Sequence, residues 1–179
     1  MKTLTLLRHA KSSWDDPAAR DFDRPLNARG QKAAITMGRE MRALGLAFDA
    51  MVSSPAVRAI ETVAGVAEGY GAPLRPTLDP RIYLATPAIL LDLVREADDK
   101  ADRLLLVGHN PGFERLAMLL TRDDDNGPRA ELAVKYPTAA LAEIVLEAAR
   151  WDEVAAGAGR LTRFIRPRDL DPQLGPEED

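Results

Sequence analysis

Apolar residues in this chain come in short blocks of two patterns, and the patterns alternate. Residues 3–7 form an unbroken run of leucine and threonine that stops at Arg8-His9, as in a strand buried on both faces. Residues 103–108 hold the clearest run of this type, Leu104-Leu105-Leu106-Val107, which stops at His109. Residues 48–52 predict a further strand, 74–77 a weaker one, and 139–146 and 161–166 two late strands. Between them the spacing turns helical. Residues 30–44 place Ala33, Ala34, Met37, Met41 and Leu44 on one face, with Gly45 as a stop, and residues 87–96 do the same with Ile89, Leu90, Leu93 and Val94. Ser53-Ser54-Pro55 and Asn110-Pro111 each read as a polar cap followed by a proline at the first helical position. The first helix would run through Arg58 and Thr62 towards Gly69, and the second would end before the acidic turn at 123–127. Residues 11–28 are polar and read as a long loop, a class often tied to function. The alternation predicts a three-layer α/β/α domain with a mostly parallel sheet, spanning residues 1–168, followed by a frayed, acidic tail at 169–179.

Composition narrows the picture. The chain has 179 residues, 46% of them hydrophobic, enough for one domain with a sizeable core, and no linker-like stretch divides it. The net charge of −4 removes the global basic field expected of a nucleic-acid binder but leaves room for a local basic pocket. With no cysteine there is no disulfide, no thiolate metal site and no thiol nucleophile. Arg8 interrupts the N-terminal apolar run, so it does not read as a signal peptide, and no apolar stretch nears the ~20 residues of a spanning helix. The expectation is a soluble, cytoplasmic protein without nucleic-acid or membrane partners.

The two histidines, His9 and His109, each lie just past a strand end, where ligands bind in open α/β sheets. A third strand end carries Ser53-Ser54-Pro55, with Arg58 one turn further on. If these strands are parallel neighbours, both histidines, Arg8 and Arg58 meet in one crevice beside two helix N-termini, a site for a tetrahedral oxyanion such as phosphate. Singly, a strand-end histidine or a first-turn arginine is ordinary; their joint placement carries the reading. Other features read as structural. Residues 123–127 resemble half a calcium loop, but that register puts Arg122 first and Ala133 twelfth, which is no EF-hand. Tyr83 is assigned to core packing rather than the pocket, Trp14 to packing near the site or to a rim facing a partner, and Lys11 to solvent.

The segments Leu7-Arg8-His9-Ala10-Lys11-Ser12-Ser13-Trp14, Ser53-Ser54-Pro55-Ala56-Val57-Arg58-Ala59-Ile60-Glu61-Thr62 and Val107-Gly108-His109-Asn110-Pro111 resemble, in order and separation, three signature blocks of the histidine phosphatase superfamily, which includes the phosphoglycerate mutases. The short length, Arg24-Pro25-Leu26 and Arg29-Gly30 are most similar to its SixA-type phosphohistidine phosphatases. The resemblance implies a phosphoglycerate mutase-like fold and a nucleophilic, neutral His9 whose proton sits on the nitrogen facing away, held by a backbone carbonyl. It implies that Arg8, Arg58 and His109 hold the phosphoryl oxygens, with no metal or other cofactor. The substrate would be a phosphorylated protein, such as a histidine phosphotransfer domain, or a small phosphorylated metabolite. A small-molecule phosphomonoesterase and a weakly catalytic module that binds phosphorylated partners are the alternatives.

Two departures stand out. Asp15 occupies a position where many members carry a phosphate-binding asparagine; Ser12 could supply a donor instead. The segment 78–91, where larger members keep a glutamate proton donor, offers only Asp79 as a replacement, unless an acid in the 15–23 loop serves.

Overall fold

The computed structural model describes residues 1–123 and 127–176. Six strands form one sheet: β1 (Lys2–Arg8), β2 (Ala50–Ser53), β3 (Thr77–Leu78), β4 (Arg103–Gly108), β5 (Leu141–Leu146) and β6 (Gly159–Ile165), in the order β3-β2-β4-β1-β5-β6. β1 pairs parallel with β4, β4 with β2 and β2 with β3, while β5 alone runs against the rest. The helices are α1 (Ala28–Ala43), α2 (Val57–Tyr70), α3 (Pro87–Arg95), α4 (Gly112–Leu120), α5 (Pro128–Val134) and α6 (Pro167–Leu170). This is the mostly parallel α/β architecture the alternating pattern predicts.

The leucine run of β4 shows why the sheet needs two covering layers. Leu104 and Leu106 point into one core with Phe113 and Leu116 of α4, Leu90 of α3 and Leu4 and Leu6 of β1. Leu105 and Val107 point the other way, onto Met37 and Met41 of α1 and Val63 and Val66 of α2. The period of two along a strand divides one continuous apolar run between both faces. α1 and α2 pack so closely that a Cβ on Gly38 would lie 2.1 Å from the Val66 carbonyl oxygen, and one on Gly69 2.0 Å from that of Ile35. Glycine is required at both by backbone proximity.

Several boundaries shift for local reasons. α1 starts two residues early because the Asn27 side chain accepts from the Gly30 N–H at 2.8 Å. Neither the serine nor the asparagine caps its helix as expected: α2 begins after Ala56, and α4 follows a cis Asn110–Pro111 bond, with Pro111 before its first residue. α5 carries only one buried side chain, Leu132, too little for an apolar periodicity to reveal it. The acidic turn lies partly outside the described residues, which omit 124–126. In the segment expected to be a frayed tail, Leu170 and Leu174 pack against the α1–α2 core, and Lys32 of α1 pairs with Asp171 at 3.0 Å; 177–179 lie outside the described residues. Two half-buried leucines and an ion pair outweigh the tail's polar composition. Among the described residues, no helix is long and apolar enough to cross a membrane.

Candidate active site

Three adjacent parallel strands end at the same level. Arg8 faces Gly108 across β1 and β4, and Ser53 faces Val107 across β2 and β4. The His9 N–H donates to the Gly108 carbonyl at 2.9 Å, and the His9 carbonyl accepts from Ala139 at 3.0 Å, so the backbone at the turn is pinned from both sides. The rings of His9 and His109 meet with centroids 5.1 Å apart. Arg8, His9, Arg58 and His109 line one cleft of about 650 Å³, a usual size for a ligand site.

His9 Nδ1 lies 2.7 Å from the Ala10 carbonyl oxygen, which can only accept; the ring proton therefore sits on Nδ1, leaving the Nε2 lone pair free. The Ala10 N–H donates to the Thr62 hydroxyl, which donates to the Arg58 carbonyl, tying this turn to α2. Burial holds the His9 pKa down at about 4, with the nearby arginine charges acting in the same direction and the Ala10 carbonyl opposing. His109 is held at about 3, first by burial, then by His9 and Arg58. Both rings are neutral at neutral pH. His109 Nε2 lies 2.8 Å from the Ser54 hydroxyl, whose oxygen already accepts from the Ala56 N–H. The hydroxyl keeps its proton and a second lone pair, so it can donate to Nε2 or accept from it, and the contact is compatible with the His109 proton on either nitrogen.

Arg8 donates to the Tyr136 carbonyl at 2.7 Å, and burial lowers its pKa from the usual value. Arg58 donates to the Asp21 carbonyl at 2.6 Å and its carboxylate at 3.0 Å. Among the described residues, three buried side-chain polar atoms have no partner: Arg8 Nε, Arg58 Nε and His109 Nδ1. A buried unpartnered donor costs about 1–3 kcal/mol, and native structures contain few. All three belong to residues the sequence singles out, and they lie around one cleft. An anionic ligand offering several acceptor oxygens accounts for such a cluster.

The lesser candidates fare differently. Ser12 lines the cleft, its hydroxyl accepting from Arg24 at 2.5 Å. Asp15 is exposed outside the lining, its N–H donating to the Ser13 hydroxyl. Asp79 also lies outside the lining: its carboxylate accepts from the Arg81 backbone and guanidinium, which hold its pKa below the usual range. An aspartate before Pro80 caps the short turn at 80–82 and is spent there.

Three residues at the site have no role of their own in the sequence reading: Arg24 stands only in a family motif, Asp21 only among the acids of the 15–23 loop, and Tyr83 is assigned to the core. Asp21 accepts from Arg58, from Arg24 at 3.0 Å and from the Tyr83 hydroxyl at 2.5 Å. Tyr83, expected in the core, stands edge-on to His109 with centroids 5.4 Å apart. Arg24 also lies under the Trp14 ring at 3.6 Å. The one available signal was the Asp21–Arg24 spacing of three beside Pro25.

Known proteins share this sequence pattern and fold. Residues 4–82 match the sequence model of the histidine phosphatase superfamily, branch 1. An uncharacterised protein of Mycobacterium tuberculosis is 35% identical over 164 residues, covering 90% of this chain and all of that protein. The chain belongs to the histidine phosphatase superfamily. Its fold superposes on structures named putative phosphohistidine phosphatase SixA from Nakamurella multipartitia (TM-score 0.78, 28% identity, 93% of this chain and 96% of that one) and Agrobacterium tumefaciens (TM-score 0.75, 28% identity, 93% and 98%). As a histidine phosphatase superfamily member it is a hydrolase of phosphorylated substrates with a phosphoglycerate mutase-like fold.

Proposed function

We propose that the protein is a phosphohistidine phosphatase with His9 as its nucleophile. His9 Nε2 attacks phosphorus in line, an N–P bond forms at His9, and the substrate's N–P bond breaks as its imidazole leaves and takes up a proton. Arg8, Arg58 and the His109 Nδ1–H hold the phosphoryl oxygens, meeting charge as it spreads over them in the transition state. Water then attacks the phosphohistidine, releasing inorganic phosphate and regenerating neutral His9. The arginines supply the positive charge, so the reaction proceeds without a metal ion.

The observation that carries the choice of substrate is the state of Asp21. Among the described residues it is the one carboxylate lining the cleft, and the Tyr83 hydroxyl, Arg24 and Arg58 hold its pKa at about 2. Such a group is ionised near neutrality and donates no proton to a departing alkoxide. Ester cleavage would forgo general-acid help worth about 10²–10⁴-fold. An imidazole, with a conjugate-acid pKa of roughly 6.5, leaves without that help. The SixA-named neighbours agree with this reading.

The test is phosphate release from a phosphohistidine-bearing protein beside a panel of phosphate esters, with wild type and His9→Ala. Preferential turnover of the phosphohistidine, at least about 10³-fold lower in the variant, is the expected result. Preference for esters would transfer the enzyme to the small-molecule class. Absence of any His9-dependent turnover, with no phosphate label on His9, would leave a binding module.

A further inference from the structure

The cleft extends well beyond the phosphoryl-binding groups. Among the described residues its outer wall carries Lys11, Arg29, Lys135, Arg166 and Arg168, against the single acid Asp21, in a chain whose net charge is −4. Two of these cations are engaged: Arg29 donates to the Gly175 carbonyl, and Arg166 pairs with Glu131 and Asp169. Lys11, Lys135 and Arg168 are exposed, and among the described residues none makes an ion pair or side-chain hydrogen bond. Positive charge is thus concentrated at one mouth in excess of what a single phosphoryl group needs.

Two apolar side chains stand at the same mouth. Trp14 is 74% exposed yet held flat on the Arg24 guanidinium, and Leu84 is 56% exposed. Leu84 also has φ at 50°, a left-handed conformation uncommon for a branched aliphatic residue and costing about 1–3 kcal/mol. A pre-ordered indole and a leucine held outward under backbone strain, at a mouth where three cations have no partner among the described residues, have the composition of a protein-binding hot spot with a charged rim. A small metabolite inside the cleft would leave both apolar groups in water; a larger body seated over it would cover them.

Resting on the phosphohistidine reading of the same site, we infer that this mouth is a docking surface for an acidic protein face surrounding the phosphohistidine. Lys135 and Arg168 meet the partner's carboxylates, and Trp14 and Leu84 pack against apolar residues beside them. The site thereby selects substrates by the charge around the phosphohistidine as well as by the phosphoryl group.

The test uses synthetic phosphohistidine peptides flanked by glutamate and leucine, the same peptides with lysine replacing glutamate, and free phosphohistidine. Wild type should turn over the acidic peptide with a kcat/KM about tenfold or more above the basic one, and high salt should erase the difference. The Lys135→Glu/Arg168→Glu double variant should lose or invert that preference through KM while cleaving free phosphohistidine within about twofold of wild type. Equal turnover of both peptides, or a double variant that fails equally on free phosphohistidine, overturns the docking surface. If neither the peptides nor free phosphohistidine are cleaved, the parent reading fails, and docking is judged separately by binding of the unphosphorylated acidic peptide, followed by Trp14 emission. Salt-sensitive binding lost in the double variant supports it; no binding, or binding indifferent to the variant, overturns it.

Discussion

The two ends of β1 each hold a cation, Lys2 buried and Arg8 half-buried, and they treat it in opposite ways. At the start, Lys2 is 2% exposed, and its ammonium donates to the Asp99 carbonyl at 2.7 Å, the Ala101 carbonyl at 3.0 Å and the Asp102 carboxylate at 2.9 Å. Three protons meet three acceptors, and the Trp151 ring lies 5.6 Å away. At the far end, Arg8 has one donor on the Tyr136 carbonyl while its buried Nε has none, and Arg58 repeats the defect across the cleft. Burial alone therefore does not mark function. A charge whose hydrogen bonds are complete holds strands and loops together; one left incomplete, beside others like it, is set for something that arrives from outside.

The sharpest way to break the comparison is Arg58→Gln. It should lower kcat/KM for a phosphohistidine substrate by about 10²–10³-fold, the usual effect of removing one group that stabilises transition-state oxygens. Stability should fall less than in a Lys2 variant, because the partner left behind, Asp21, reaches solvent. An Arg58→Gln enzyme that keeps full activity but unfolds readily would reverse the assignment.

Acid should next expose the site end selectively. His9 and His109 have folded pKa values of about 4 and 3, below the ordinary 6.5. Between pH 6.5 and about 4 the unfolded chain binds protons that the folded one refuses, so stability is full above pH 6.5 and declines as pH falls through this window. Urea unfolding at pH 7 and pH 5 should show the loss, with a shallower decline in His109→Gln. On the proposed mechanism, which needs neutral His9, activity should persist at pH 5, where a free imidazole would be mostly protonated.

The smallest effect is expected from Lys2→Met, which strips the Asp99 carbonyl and the Asp102 carboxylate of the Lys2 donor and leaves the Ala101 carbonyl with the Trp151 indole N–H alone. It should cost about 1–3 kcal/mol in denaturant unfolding and leave kcat/KM per folded molecule unchanged. Loss of activity without loss of stability would show that the two ends of the strand are coupled.

Much of this site was legible in one dimension because each catalytic candidate adjoins a strong local signal. The apolar runs at 3–7 and 104–107 can only be buried strands, and a histidine directly after each is placed by the strand that precedes it. Arg58 is placed in the same way by β2 and the helix that follows. Asp21, Arg24 and Tyr83 have no such anchor. Asp21 and Arg24 lie in a polar loop without periodicity, and Tyr83 is 62 residues from the carboxylate it touches. Asp79 misled for the complementary reason: the pattern reports that an acid is present but not that Arg81, two residues on, has taken it.

The sequence by itself determined the alternation of strands and helices and the placing of the histidines at two strand ends. Periodicity and capping act over a few residues and are written locally. Tertiary structure decided that β4 lies between β1 and β2, bringing those ends level, that the loop before α1 folds Asp21 against Arg58, and that the C-terminal segment forms one wall of the cleft. Those outcomes depend on which apolar faces find each other across more than a hundred residues, and only the packed core settles that competition.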